Sequence, residues 1–265
     1  MGRRPSVRER SGRLAAWLVA HPGWGRRRPA AAIGLVLAGG GLAAFGAGAV
    51  FLELAEHARV TTGPLYRADH VINAWMQDER YPGFTALLRA VTIAAGPAGM
   101  ALLVAAVAAV LFLRRHRASA VFLVIVAAGG VLLNEGLKMM FARARPLAAS
   151  AIAAAHGYSF PSGHAMGSFV VFGAIAHLVV RQPWRWKVKS AWLAMLLALV
   201  VLVGLSRVYL GVHWISDIAA GWSAGGVWLA AATVAFETWL RVRRRRACYA
   251  PGASAAVSAA GAKST

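Results

Sequence analysis

Six stretches of the chain, roughly 30 to 54, 86 to 113, 119 to 141, 164 to 180, 190 to 210 and 215 to 240, are made almost entirely of Ala, Leu, Val, Gly and other apolar residues. An α-helix needs about 20 such residues to cross a bilayer, and each stretch comes near that length, the fourth being the shortest. The apolar residues occupy every helical face instead of alternating with polar ones, which selects helices over the strands of an outer-membrane barrel. With 59% hydrophobic and only 14% charged residues, the chain is too apolar for an ordinary water-soluble domain. The expected fold is therefore all-α, a polytopic bundle of six transmembrane helices over residues 29–240. A basic arm at 1–28 precedes it, and a tail at 241–265 follows, basic at first and then rich in Ala, Ser and Gly and expected to be disordered.

The formal charge is +20, yet the cations fall in blocks between apolar runs and not along one face. That distribution argues against nucleic acid as a partner and for a lipid bilayer. With the amino terminus inside, the inner segments collect the arginines of the arm through Arg28, then Arg114, Arg115 and Arg117, then Arg181, Arg185, Lys187 and Lys189, then Arg241 and Arg243 to Arg246. The outer segments keep Arg59, Arg67, Arg80 and Arg89, with Lys138, Arg143, Arg145 and Arg207. This asymmetry predicts a plasma-membrane protein with both termini cytoplasmic. Cys248 is the sole cysteine, so an intramolecular disulfide and a thiolate metal cluster are both excluded. The run after Arg26 to Arg28 is too long for a cleaved signal segment and reads as a retained anchor. Met1-Gly2 with Ser6 matches a myristoylation pattern short enough to recur by chance. Residues 12–20, with Leu14, Trp17 and Leu18, fit an interfacial helix or a solvated basic arm.

Three polar clusters interrupt the apolar chain: Lys138 with Arg145-Pro146, then Pro161-Ser162-Gly163-His164, then Ser206-Arg207 with His213 and Asp217. The topology set by the inner loops brings all three to the outer face, although it was fixed without reference to them. Lys138 lies near the outer end of a span, where it either snorkels to the headgroups or faces a wet cavity. Pro146 favours an extended chain at Arg145 and ends any helix there. Pro161 to His164 opens the fourth span, so backbone N–H groups of a helix start face outward; the bland alternative is a Ser cap with an interfacial His. Asp217 follows His213 by four residues, and on a helix that spacing stacks the two on one face. The carboxylate then fixes one imidazole tautomer and leaves the other nitrogen free to attack, or the pair only stabilises the sixth span. Arg207 offers a bidentate fork to phosphate oxygens.

Lys, six residues, Arg-Pro; Pro-Ser-Gly-His; Ser-Arg, five residues, His, three residues, Asp: this pattern resembles the type 2 phosphatidic acid phosphatase (PAP2) superfamily, which includes vanadium haloperoxidases and bacterial acid phosphatases. The resemblance covers about residues 85–240 and leaves the first span and both tails unsupported. It implies a membrane phosphatase domain of the PAP2 and vanadium haloperoxidase-like type over 29–240. His213 is then the nucleophile that forms a phosphohistidine, Asp217 orients it, and His164 protonates the leaving oxygen and later activates water. Lys138, Arg145, Ser162, the Gly163 amide and Arg207 hold the phosphate. No metal or other cofactor is expected, because the cations already neutralise charge and no second carboxylate is read near the site.

The implied substrate is a lipid phosphate whose tail stays in the bilayer while its headgroup enters from outside, with undecaprenyl diphosphate favoured over phosphatidic acid or phosphatidylglycerol phosphate by analogy alone. A lipid phosphotransferase and a non-catalytic headgroup binder or transporter are the alternatives, and the oligomeric state is open. Glu135 is expected to pair with Lys138, and Asn134 to join a polar seam between helices. Asp69, His70, Asp78, Glu79 and His156 read as solvated loop polarity. Trp184, Trp186, Trp192, Trp214 and Trp239 read as membrane-boundary anchors.

Overall fold

Prolines start three consecutive helices: Pro64, Pro82 and Pro97 each occupy a first-turn position, where the missing N–H leaves no hydrogen bond unmade. In the computed structural model, which describes residues 30–60, 62–146 and 157–248, these belong to a set of eight helices with no strand among the described residues. They are α1 (Ala30–His57), α2 (Pro64–Asp78), α3 (Pro82–Ala94), α4 (Pro97–Leu113), α5 (Arg117–Phe141), α6 (Gly163–Val180), α7 (Trp186–Tyr209) and α8 (Ile215–Cys248). The chain divides into two units, residues 1–39 and 40–265. Of the first, only the beginning of α1 is described. The expected amino-terminal arm, its interfacial helix, its myristoylation pattern and His156 lie outside the described residues, as does the tail from 249. The basic run at 241–248 continues α8 as helix.

α6 is the central element, packed on α5, α7 and α8, while α3 rests on α7 and α2 on both α7 and α8. Leu123 and Val126 of α5, Met166, Val170 and Ala174 of α6, and Ala224 of α8 form the main buried cluster. Small residues let these helices close on one another without water-driven collapse. A Cβ on Gly130 would meet Val170 at 3.2 Å, and one on Gly225 would meet the Met166 carbonyl at 3.3 Å. Large apolar side chains point outward along the same helices, Leu102 on α4 at 72% exposure and Leu132 on α5 at 75% among them. That surface suits lipid and not water.

Four helices, α5, α6, α7 and α8 as far as Arg243, are long and apolar enough to cross a membrane. The expected span at 86–113 is instead two helices, α3 and α4, bent by 57°, and counting them as one gives five. Pro97 causes the bend, since it cannot donate to the preceding turn and forces Gly96 to an extended ψ of 173°. α1 is not among the five, so the count of spans in the described residues stops short of the six expected. α2 is a second departure, because a segment expected as loop is a helix of 15 residues. Its length and its polar Asp69, His70, Asn73 and Asp78 hid it from a search for spans.

Candidate active site

α5 ends when Ala142 enters the left-handed region at φ 47°, and the chain runs on outside any helix through Arg143, Ala144 and Arg145. The segment before α6 clips onto it. Ser159 donates its N–H to the Arg143 carbonyl at 2.9 Å and its hydroxyl to the Ala144 carbonyl at 2.9 Å. Arg145 returns two donors, from Nε to the Gly157 carbonyl at 3.0 Å and from Nη2 to the Tyr158 carbonyl at 3.1 Å. The first and second polar clusters are thereby one structural unit.

Ser162 caps α6, its hydroxyl oxygen accepting from the Ala165 N–H at 3.4 Å, while its own N–H donates to the Asp217 carbonyl at 3.0 Å. That second bond ties the α6 start to the α8 start. Gly163 follows, and a Cβ there would lie 2.9 Å from Asn134 Oδ1 and 3.5 Å from Lys138 Nζ, so only glycine lets the turn approach the α5 polar face this closely. Lys138 pairs with Glu135 at 2.9 Å. Asn134 is buried and its amide lies 3.5 Å from the Pro161 carbonyl, as expected of a polar seam.

His213 sits in the turn between α7 and α8, only 2% exposed. Arg145 Nη1 donates to its Nε2 at 3.0 Å, and because a guanidinium has no lone pair to offer, Nε2 must be the acceptor. The proton is therefore on Nδ1, which faces Asp217 Oδ2 at 3.3 Å. The His–Asp pair does not form by stacking along a helix, as the four-residue spacing suggested. α8 starts at Ile215, and Asp217 in its first turn reaches back to accept the Trp214 N–H at 3.0 Å, as one half of a capping box. Burial lowers the His213 pKa from 6.5 to about 4, against the hydrogen bond and charge of Asp217 and with the help of the Arg145 and Arg207 charges. Burial likewise lowers the Arg145 pKa, opposed by Asp217.

Arg207, 4% exposed, donates from Nη1 to Thr92 Oγ1 at 3.2 Å, and its Nε–H has no hydrogen-bond partner among the described residues. Thr92 in turn meets the Ser206 hydroxyl at 2.8 Å. His164 packs toward the α3–α4 elbow, where a Cβ on Gly96 would be 3.8 Å from its Nε2. The two imidazoles interact electrostatically with each other and each with Arg207. Hydrogen bonds thus join Arg145, Ser162, His213 and Asp217, with Gly163 following Ser162 against Lys138, while His164 and Arg207 reach this group electrostatically.

Three participants were not foreseen. Asp69 on α2 is buried and accepts from Arg143 Nη2 at 2.8 Å, from the Ser216 N–H at 3.0 Å and from the Ser216 hydroxyl at 2.5 Å. Arg143 also donates to Asp217 Oδ1 at 2.8 Å. Asp69 is therefore not solvated loop polarity, and it is a second carboxylate beside the site where none was expected. One signal was present for Arg143: it is a second arginine two residues before Arg145, in the same short non-helical stretch ahead of Pro146. Trp214 also does more than mark a boundary. Its ring meets that of His70 at a 42° tilt with centroids 4.5 Å apart and lies under the Arg143 guanidinium. Among the described residues no group of three or more His, Cys, Asp or Glu side chains could hold a metal ion.

The family description "PAP2 superfamily" matches residues 119–241. Phosphatidylglycerophosphatase B of Bacillus subtilis is 32% identical to this chain over 176 residues, 66% of this chain and 85% of the relative. The chain belongs to the PAP2 superfamily. An undecaprenyl-diphosphatase of Sulfolobus acidocaldarius is 40% identical to this PAP2 chain over 83 residues, 31% of this chain and 34% of the relative. The crystal structure of a transmembrane PAP2 type phosphatidylglycerolphosphate phosphatase from Bacillus subtilis superposes with a TM-score of 0.69 at 28% identity, covering 74% of this chain and 96% of that one. This PAP2 protein is a phosphatase, and its long apolar helices make it a membrane protein.

Proposed function

We propose that this PAP2 phosphatase hydrolyses a phosphomonoester or diphosphate of a lipid at the outer face of the plasma membrane, through a phosphohistidine on His213. The setting of that imidazole carries the reading: Nδ1 is held by Asp217 and Nε2 accepts from Arg145 at 3.0 Å, so a neutral nucleophile turns its lone pair toward the cations. An incoming phosphoryl group takes Nε2's place on the Arg145 fork, and Lys138, Arg207, Ser162 and the Gly163 amide share its oxygens. Nε2 then attacks phosphorus in line. The P–N bond forms as the bond to the leaving oxygen breaks, His164 gives that oxygen a proton, and Asp217 holds the resulting imidazolium. His164 next takes a proton from water, whose oxygen attacks phosphorus, and the P–N electron pair returns to His213.

The proposed topology has six spans, α1, the bent α3–α4 pair, α5, α6, α7 and α8, with both termini cytoplasmic. The blocks of Arg and Lys support it. A lipid-facing bundle with its cations at helix ends suits a substrate whose tail stays in the membrane. For the lipid itself, likeness over nearly the whole of a phosphatidylglycerophosphatase puts phosphatidylglycerol phosphate first. Undecaprenyl diphosphate, favoured on analogy from the sequence, stays as the second reading on the shorter but more identical match.

The test is phosphate release by the purified protein in detergent with excess chelator, from phosphatidylglycerol phosphate, phosphatidic acid and undecaprenyl diphosphate. At least one lipid should turn over, with acid-labile, base-stable phosphate trapped on the protein and both signals lost in His213→Ala. Turnover surviving in His213→Ala ends the nucleophile assignment. Lipid binding without release favours a headgroup binder or transporter, and phosphate found on an alcohol acceptor favours a phosphotransferase.

A further inference from the structure

Asp69 comes from α2, outside all three motifs, yet it is more thoroughly buried than most of the core, at 1% exposure. Burying a carboxylate costs several kcal/mol unless it is paired and its lone pairs are used. Here each oxygen is used: Oδ1 takes the Ser216 N–H, and Oδ2 takes the Ser216 hydroxyl and Arg143 Nη2. Arg143 Nη1 bridges onward to the Ser216 hydroxyl and to Asp217 Oδ1, each at 2.8 Å. The carboxylate of Asp217 is therefore divided, Oδ1 to Arg143 and Oδ2 to His213 and the Trp214 N–H. The charges matter as much as the contacts. Arg143 alone would neutralise Asp217, whereas Asp69, Arg143 and Asp217 together carry a net charge of about −1, the balance an imidazolium at His213 requires.

We propose that Asp69 and Arg143 are positioning residues for the hydrolysis: the Arg143 fork fixes the Asp217 carboxylate against His213, and Asp69 restores the negative charge that Arg143 would otherwise cancel. The inference rests on the reading of His213 as nucleophile. It also assigns α2, a helix outside the motifs, a part in holding the dyad in register. Neither residue belongs to the group facing Nε2, so substrate binding does not depend on them.

The experiment compares Asp69→Asn and Arg143→Gln with the parent in detergent, using the lipid that the panel identifies and the pH dependence of kcat. The other charged groups interacting with His213, namely Arg145, Arg207, His164 and Asp217, are untouched in both. Because a displacement near 1 Å costs on the order of 100-fold in rate, each variant should lose about 10-fold to 100-fold in kcat with KM within about threefold. The acid limb of kcat should move to lower pH in Asp69→Asn, where an anion is lost, and to higher pH in Arg143→Gln, where a cation is lost. Opposite movements are the signature, since general loosening moves both the same way. Ser216→Ala, which keeps both charges, should lose about tenfold in kcat with no movement of the limb, and it keeps the test open if a charge variant fails to fold. Unchanged kcat in a folded charge variant, movement of both limbs in one direction, or wild-type kcat in Ser216→Ala overturns the proposal. His213→Ala run alongside separates the readings. Turnover there sinks the nucleophile, whereas a dead His213→Ala beside a wild-type Asp69→Asn sinks only the positioning role.

Discussion

Gly221→Ala tests whether the close contact of α6 with α8 sets the phosphate site. A methyl at Gly221 would lie 2.8 Å from the Ser162 carbonyl oxygen and 3.1 Å from both the Met166 nitrogen and the Ala165 Cβ. Ordinary contact begins near 3.4 Å, so the α6 start must retreat by about 0.6 Å, and backbone atoms cannot swing aside as a flexible side chain would. Overpacking of this kind costs about 1–3 kcal/mol, which corresponds to roughly 2–10 °C in melting temperature for a chain of this size. The retreat also stretches the bond from the Ser162 N–H to the Asp217 carbonyl, now 3.0 Å, and moves the capped turn away from His213. If a 1 Å misplacement costs on the order of 100-fold, 0.6 Å costs on the order of tenfold in kcat. Phosphate release and a melting curve in the same detergent give both numbers. Gly167→Ala on α6 is the control, because its Cβ would meet nothing within 4 Å and alanine favours a helix by about 0.5–1 kcal/mol. Wild-type kcat and melting in Gly221→Ala, or equal damage in Gly167→Ala, would refute the reasoning.

Asp217→Asn should lower kcat by roughly 1,000-fold or more while lipid still binds, because an amide can donate to Nδ1 and select the tautomer that lacks a lone pair on Nε2; steady-state kinetics with a binding assay decides it. Burial holds the His213 pKa near 4 against 6.5 for a free imidazole, so between those values the unfolded chain binds the extra proton. Stability should therefore fall as pH drops from 6.5 through 4 and be level above 6.5 on account of this group, and melting curves of His213→Gln should show a shallower acid slope. Gly163→Ala should push the Asn134 amide out of a 2.9 Å contact and crowd Lys138, weakening inhibition by vanadate, a mimic of the pentavalent transition state, by about tenfold in a dose-response assay.

The apolar runs and the three polar clusters were legible from the sequence because both depend on near neighbours along the chain. An unbroken run of Ala, Leu and Val specifies a buried or lipid-facing helix without reference to any partner. Lys138 with Arg145, Pro161 to His164, and Arg207 with His213 and Asp217 each lie at a helix end, where a few residues of spacing fix which groups can face one point. The central helices α5, α6, α7 and α8 follow from this, as does the all-helical class. Tertiary structure decided the rest. The 57° bend between α3 and α4 has a local cause in Pro97, but no local count of apolar residues distinguishes one bent span from two helices. Asp69 meets Arg143 across 74 residues of sequence and Ser216 across 147, and an acid on a short polar helix has nothing nearby to mark it as buried. The same four-residue spacing of His213 and Asp217 fits an intrahelical stack or a helix cap. Only the position at which α8 begins chose the cap, because a carboxylate in the first turn finds an unpaired N–H to accept and one in mid-helix does not.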